Sequence, residues 1–194
     1  MEEASLFGHR SFSLHLFGEP LLYPRIDDCI EYIKRRGHAV ILTTNGLLLE
    51  KHVEALKKVD KIIWSYKEKI TIPEEIRKWR NFTVRFFGEV RGKWKHSEVR
   101  SLHNYGGQVS GVPFTGKARY PCYHLWLAPA VTATGEIVIC CADPKVTTSV
   151  GNVATMTIAE AWKKMQATRD EHLKGIYSGI CKNCNVWATY PSLF

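Results

Sequence analysis

No stretch of about eighteen consecutive apolar residues occurs in this 194-residue chain, so the sequence offers no candidate transmembrane helix. The opening MEEASLFGHR lacks the basic-then-apolar build of a secretory signal. A cytoplasmic protein with no membrane contact is the expectation. There is no internal repeat and no low-complexity segment, and the 45% apolar content suffices for a packed core in one ordinary domain or two small ones. A dense basic tract is also missing. The 27 Lys+Arg against 19 Asp+Glu leave a charge of +8 and a pI near 9.2, a balance that favours polyanions. The charge is scattered over KRR at 34–36, KK at 57–58, RGKWK at 91–95 and KK at 163–164, with no recognised nucleic-acid motif beside it. It reads as a solvated basic surface, and nucleic acid is not expected as a partner.

What is present first is an alternation of strand and helix patterns. FSLHL (12–16) reads as a strand and runs into Phe17-Gly18-Glu19-Pro20. IDDCIEYIKRRG (26–37) has apolar residues at Ile26, Cys29, Ile30 and Ile33, which is helical spacing, and Gly37 is its stop. AVILTT (39–44) is a buried-looking strand ending at Asn45-Gly46, LLLEKHVEALKKV (47–59) an amphipathic helix, and KIIWSY (61–66) a third strand. PEEIRKWR (73–80) opens a helix with Pro and acids, as the backbone dipole prefers, and NFTVRFFG (81–88) is a fourth strand. This order predicts right-handed βαβ units and a mainly parallel sheet. From about residue 90 the chain turns rich in Gly, Ser and basic residues and reads mostly as loop. LWLAPAVTATGEIVICC reads as a hairpin turning at Thr134-Gly135. TIAEAWKKMQATRDEHL (157–173) reads as a helix, with Thr157 and Glu160 as a capping box.

Of six cysteines, five fall between positions 122 and 184. In a reducing compartment such grouping points to metal rather than to disulfides. Cys122 and Cys140 flank the expected hairpin, so pairing of its strands brings them together at its open end. The Cys181-x2-Cys184 spacing lets two thiolates grip one centre while backbone amides face the sulfurs. Four thiolates satisfy either an iron–sulfur cluster or zinc. Adjacent Cys140 and Cys141 on a strand would face opposite ways, which makes Cys140 the ligand and Cys141 packing. A thioredoxin-like redox pair lacks the strand before and helix after the CxxC. Cys29, on the inner stripe of a helix, reads as a small buried hydrophobe, and His15 and His124 as structural histidines. Two further readings stay open: a zinc-stabilised non-enzymatic binding module, and a scaffold with buried cysteines and no metal.

The order FGEPLL, helix, VILTTNGLLL, then Cys122…GEIVICCAD…GNV…TIAEAW…Cys181-x2-Cys184 resembles radical SAM enzymes that carry a C-terminal SPASM or twitch auxiliary-cluster domain. The resemblance spans residues 12–66 and 120–187. It implies an α/β fold in three parts: an incomplete (β/α) barrel of parallel strands over residues 1–90, a linker over 91–119, and a small α+β cysteine-rich metal domain over 120–194. It implies one auxiliary [4Fe–4S] cluster held by Cys122, Cys140, Cys181 and Cys184. It further implies that Gly18, Glu19 and Pro20, with Thr44 and Asn45 on the next strand end, contact S-adenosylmethionine. The reaction implied is radical modification of a peptide or small-molecule substrate. The sequence also departs from the family. The CxxxCxxC loop that binds the S-adenosylmethionine-cleaving cluster is absent, no cysteine precedes Cys29, and the first glycine of the usual Gly-Gly-Glu-Pro is Phe17. The chain is therefore not expected to make a 5′-deoxyadenosyl radical alone. A fragment, a subunit of a split enzyme and a degenerate homologue all fit, and the first two imply a missing N-terminal segment or partner subunit covering the edge of the 12–16 strand.

Overall fold

The computed structural model describes residues 10–112 and 120–185, in two units that meet in sequence between Ser101 and Leu102. The first unit holds one parallel sheet of five strands in the order of the chain. These are β1 (Ser11–Ser13), β2 (Ala39–Thr44), β3 (Lys61–Ser65), β4 (Phe82–Phe87) and β5 (Ser97–Arg100). Their register sets Ser13 beside Ile41, Thr43 beside Ile63, Ser65 beside Arg85, and Arg85 beside Glu98. Helix α1 (Ile26–Arg35) follows the expected pattern: Ile26, Ile30 and Ile33 are buried, its first turn holds Asp27 and Asp28, and its last holds Lys34 and Arg35. Gly37 ends it with φ of +72°, a conformation open to glycine at no steric cost.

Two expected helices are shorter than their apolar spacing suggests. The 47–59 stretch is a 3-10 segment, Leu49–His52, followed by α2 (Val53–Leu56). The side chain of Asn45 accepts from Leu47 N at 2.9 Å, an Asx turn that competes with helical pairing. The 73–80 stretch gives the single turn α3 (Glu74–Arg77), with Pro73 as its cap. Strand β5 lies inside the 91–119 stretch read mostly as loop. Only Glu98 of its four residues is partly buried, so no alternating apolar face announces it.

One face of the sheet carries the core. Val40, Leu42, Ile62, Trp64, Phe82, Val84 and Phe86 pack with Ile26, Ile30, Ile33, Leu49, Leu56 and Ile76. Each such burial stabilises by about 1.5–3 kcal/mol. The opposite face is largely polar. Thr43 Oγ1 meets His15 Nε2 at 3.2 Å, and Glu98 pairs with Arg85 at 2.6 Å and with Lys61 at 3.6 Å. Burial, with the Arg85 charge adding to it, lowers the pKa of His15 to about 4.

Among its described residues the second unit holds a three-stranded antiparallel sheet of β6 (Ala130–Val131), β7 (Glu136–Val138) and β8 (Ser149–Asn152), three α-helices and two 3-10 turns. The hairpin is shorter than the 125–141 stretch suggests, because His124–Leu127 forms a helical turn, α4, ahead of it. The turn at Gly135 needs its φ of +85°, and a Cβ there would come within 2.8 Å of the Asn152 side chain. The 157–173 helix is two, α5 (Ile158–Lys164) and α6 (Gln166–Leu173), broken at Met165. Its capping box between Thr157 and Glu160 forms as expected.

Candidate metal centre and cofactor-binding rim

At the carboxyl ends of β1 and β2 the residues singled out in the sequence come together. Glu19 Oε1 accepts from Thr44 Oγ1 at 2.7 Å and from Leu21 N at 3.1 Å, and Oε2 accepts from Asn45 N at 2.7 Å. Thr44 Oγ1 accepts in turn from Gly46 N at 3.0 Å, and Trp64 Nε1 donates to Asn45 O at 3.0 Å. A Cβ at Gly46 would stand 2.6 Å from that indole, so the close approach requires glycine. Pro20 starts the 3-10 turn Pro20–Leu22 that Glu19 caps. Gly18, with φ of +122°, has no atom within 4 Å of a Cβ built on it, so its backbone faces open space.

None of the six cysteines of the chain is in a disulfide, and all but Cys29 lie in the second unit. Cys122, Cys181 and Cys184 are buried, Cys140 is half-buried and Cys141 exposed. Strand β7 ends at Val138, so Cys140 and Cys141 lie past the strand and its alternation does not separate them. Their surroundings do. Ala142 N donates to Cys140 Sγ at 3.3 Å, the amide-to-sulfur bond that a ligating thiolate uses. Hydrogen bonding to Cys141 and burial push the Cys140 thiol well above its usual range, and Cys122 is close enough for its charge to add to that rise. The same bond draws Cys141 down to about 7. A bound cation overrides such an order, since a coordinating thiol is deprotonated outright. Cys181 closes the short 3-10 turn Gly179–Cys181, and Cys184 N donates to Cys181 O at 3.4 Å, which puts the CxxC pair in one turn. As they stand the side chains do not close a cage: among the described residues no three His, Cys, Asp or Glu are set to hold a metal ion.

Polar side chains hold the cysteine-bearing segments. Asn104 is buried at 1% exposure. Its Nδ2 donates to Asn183 O at 2.6 Å and its Oδ1 accepts from Asn185 N at 3.0 Å, so one amide clamps both ends of the Cys184 segment. Asn185 Oδ1 returns the bond to Asn104 N at 2.8 Å. Gly106 permits this docking, because a Cβ there would lie 2.7 Å from Ile180 O. From the sequence His103-Asn104-Tyr105 reads equally as a lining of the barrel's substrate side or as a polar loop turn, and its distance from the CxxC hid this role. Asp143, fully buried, accepts from Thr148 N at 2.7 Å, Thr148 Oγ1 at 2.8 Å, Gln108 Nε2 at 2.9 Å and Thr147 Oγ1 at 3.0 Å. Burial alone would raise its pKa, but the bonds from Gln108, Thr148 and Thr147 outweigh burial and hold the carboxyl below its usual range. It fixes the loop after Cys140.

Cys122 is held from α6. His172 Nδ1 accepts from Cys122 N at 3.2 Å, and Arg169 Nε donates at 2.8 Å to Leu125 O, in the turn begun by Cys122. Burial pulls the pKa of Arg169 down, against the opposing charge of Asp170. Trp126 and Trp162 pack with Cys140 on the apolar cluster of Leu125, Ile139 and Met165, while Trp187 lies outside the described residues.

The donor chemistry fits a thiophilic metal group. The four thiols comprise three buried ones and a half-buried one that receives an amide. Comparison with known proteins agrees. Residues 122–185 match the SPASM family, described as an iron–sulfur cluster-binding domain. An uncharacterized protein of Treponema pallidum is 20% identical over 231 residues, covering 92% of this chain and 64% of its own length. The S-adenosyl-L-methionine-dependent tRNA 4-demethylwyosine synthase of Pyrococcus horikoshii is 37% identical over 73 residues, 38% of this chain and 20% of that protein. The chain thus spans less than two thirds of the length of either relative. No solved structure matches it. Among the described residues no helix is long and apolar enough to cross a membrane. The 122–185 segment thus matches an iron–sulfur cluster-binding domain of the SPASM family, and these likenesses together support a protein of the radical SAM/SPASM type.

Proposed function

We propose that this chain is the auxiliary-cluster part of a cytoplasmic radical SAM enzyme that modifies a peptide or small molecule. In this reading Cys122, Cys140, Cys181 and Cys184 hold one [4Fe–4S] cluster. The observation that carries it is the set of four thiols in a segment that matches an iron–sulfur domain. Asn104, Asp143 and His172 keep the three backbone segments that carry these cysteines in place. When bound, the cluster supplies one-electron transfer or a site for substrate to attach.

The five parallel strands follow one another in chain order, with one apolar face and one polar face. Sequential order is what an arc of a (β/α) barrel has, and a doubly wound sheet does not. The sheet accordingly serves as part of a barrel wall with its polar face inward. S-adenosylmethionine sits on the rim at Gly18, Glu19, Pro20, Thr44 and Asn45. The open side of Gly18 admits its methionine end. Glu19 Oε2, which accepts one bond from Asn45 N, has a second lone pair for an ammonium. Among the described residues β1 pairs on one side only, with β2. Its outer edge takes the strand and the CxxxCxxC loop that complete the barrel, from a partner subunit or from a segment ahead of it.

Protein purified without oxygen tests this reading by metal and sulfide analysis with an absorbance spectrum. About four irons and four sulfides per chain, with absorbance near 400 nm, are expected. One zinc and no colour would replace the reading with a zinc-stabilised module.

A further inference from the structure

Arg169 is 2% exposed. Its Nε donates to Leu125 O at 2.8 Å, and its Nη1 donates to Trp162 O at 3.0 Å and to Gln166 Oε1 at 3.3 Å. The guanidinium lies over the Trp162 ring, 3.8 Å from its centroid. Its Nη2 is buried and has no acceptor. Among the described residues no carboxylate pairs with it. The two acids that follow it are engaged elsewhere, Asp170 with Gln166 Nε2 at 2.8 Å and Glu171 with Ser178 Oγ at 2.7 Å. A buried guanidinium satisfied only by neutral carbonyls keeps most of its desolvation cost, and guanidinium does not shed its proton to escape it.

Its location says what balances it. Leu125, whose carbonyl it holds, closes the turn begun by Cys122, since Leu125 N donates to Cys122 O at 3.2 Å. Trp162, on which it stacks, packs on the cluster of apolar side chains that includes Cys140. Arg169 thus braces the surroundings of two of the four proposed ligands, on segments far apart in the chain. An iron–sulfur cluster held by four thiolates is a net anion, because the thiolates outweigh the charge of the core.

We infer that Arg169 is the counter-charge of the cysteine-held cluster and raises its reduction potential. It is a positioning and charge-balancing residue, not a ligand, and the inference rests on the iron–sulfur reading above. Adding an electron to the cluster makes it more negative, and a nearby fixed cation in a low-dielectric interior favours that state. The same cation also tightens retention of the oxidised cluster.

Redox titration of the loaded protein, followed by electron paramagnetic resonance, compares wild type with Arg169→Gln and Arg169→Lys. Arg169→Gln keeps polar donors without the charge and is expected to disfavour the reduced cluster about tenfold, a downward one-electron shift of about 59 mV. Arg169→Lys keeps the charge and is expected to stay within about twofold of wild type. Equal potentials in wild type and Arg169→Gln, or equal shifts in both variants, would show a hydrogen-bonding brace and overturn the inference. If Arg169→Gln fails to fold, Gln166→Glu decides, because it sets a carboxylate against Arg169 Nη1: a potential lowered in the same direction supports the inference, and an unchanged potential overturns it. Colourless, iron-free wild type overturns the iron–sulfur reading, and the inference with it.

Discussion

In the first unit the apolar core runs through every element from the Pro20–Leu22 turn to β4. In the second, the buried cluster consists of Leu125, Ile139 and Met165, edged by Trp126, Trp162, Cys140 and Val150. Where the first unit relies on Leu42, Trp64 and Phe86, the second relies on Asn104, Arg169 and His172, each bonded to backbone of another segment, and on Asp143, which binds its own loop and the Gln108 side chain. Such bonds direct the chain but contribute only about 0.5–1.5 kcal/mol each. A unit this small needs a further tie, and in the proposed reading the four cysteines provide one through metal. On that reading the difference teaches that one chain can entrust half its fold to burial and the other half to coordination.

The largest expected effect separates the halves. Replacing Cys181 and Cys184 together by serine should abolish iron binding and open residues 102–185 to proteolysis, while β2, β3 and β4 keep their protection from hydrogen exchange. Leu42→Ala should do the reverse. It removes a fully buried side chain from the first core, which should lower that unit's unfolding free energy by about 2–5 kcal/mol. Iron content per folded chain should stay at the wild-type value, and chemical denaturation with iron assay checks both.

A pH profile sharpens the contrast. His15 titrates near 4 in the folded chain, below its ordinary value of 6.5. Between those values the unfolded chain binds the proton that the folded chain refuses, so stability should fall as pH drops from about 6.5 to 4 and be fully present above that window. The effect is up to about 3 kcal/mol and should vanish in His15→Gln, as read from denaturant midpoints at several pH values. The smallest expected effect belongs to the loop after Cys140. Asp143→Ala strands the Thr148 amide and the Thr147 and Thr148 hydroxyls, which should cost about 1–3 kcal/mol and speed exchange at residues 143–148 without removing the iron.

The contrast also governs what could be read from the sequence. The period of Ile26, Ile30 and Ile33 and the apolar run AVILTT announced α1 and β2, because burial leaves a pattern. The crowding of cysteines from 122 to 184 announced the segment that matches an iron–sulfur domain. Strand β5 stayed hidden because its burial is slight. The helical turn at His124–Leu127 stayed hidden because its apolar residues suit a strand equally well. Asn104 and Arg169 could not be found at all, since they act on carbonyls and amides dozens of residues away and backbone groups carry no sequence signal.

The measurement that reaches the central claim most directly is hydrogen exchange on protein prepared without oxygen, before and after iron is stripped with a chelator. The account predicts that stripping removes protection from β7, β8, α5 and α6 and leaves β2, β3 and β4 as protected as before. Equal protection throughout the second unit with and without iron would contradict it, for that unit would then stand on its own small core.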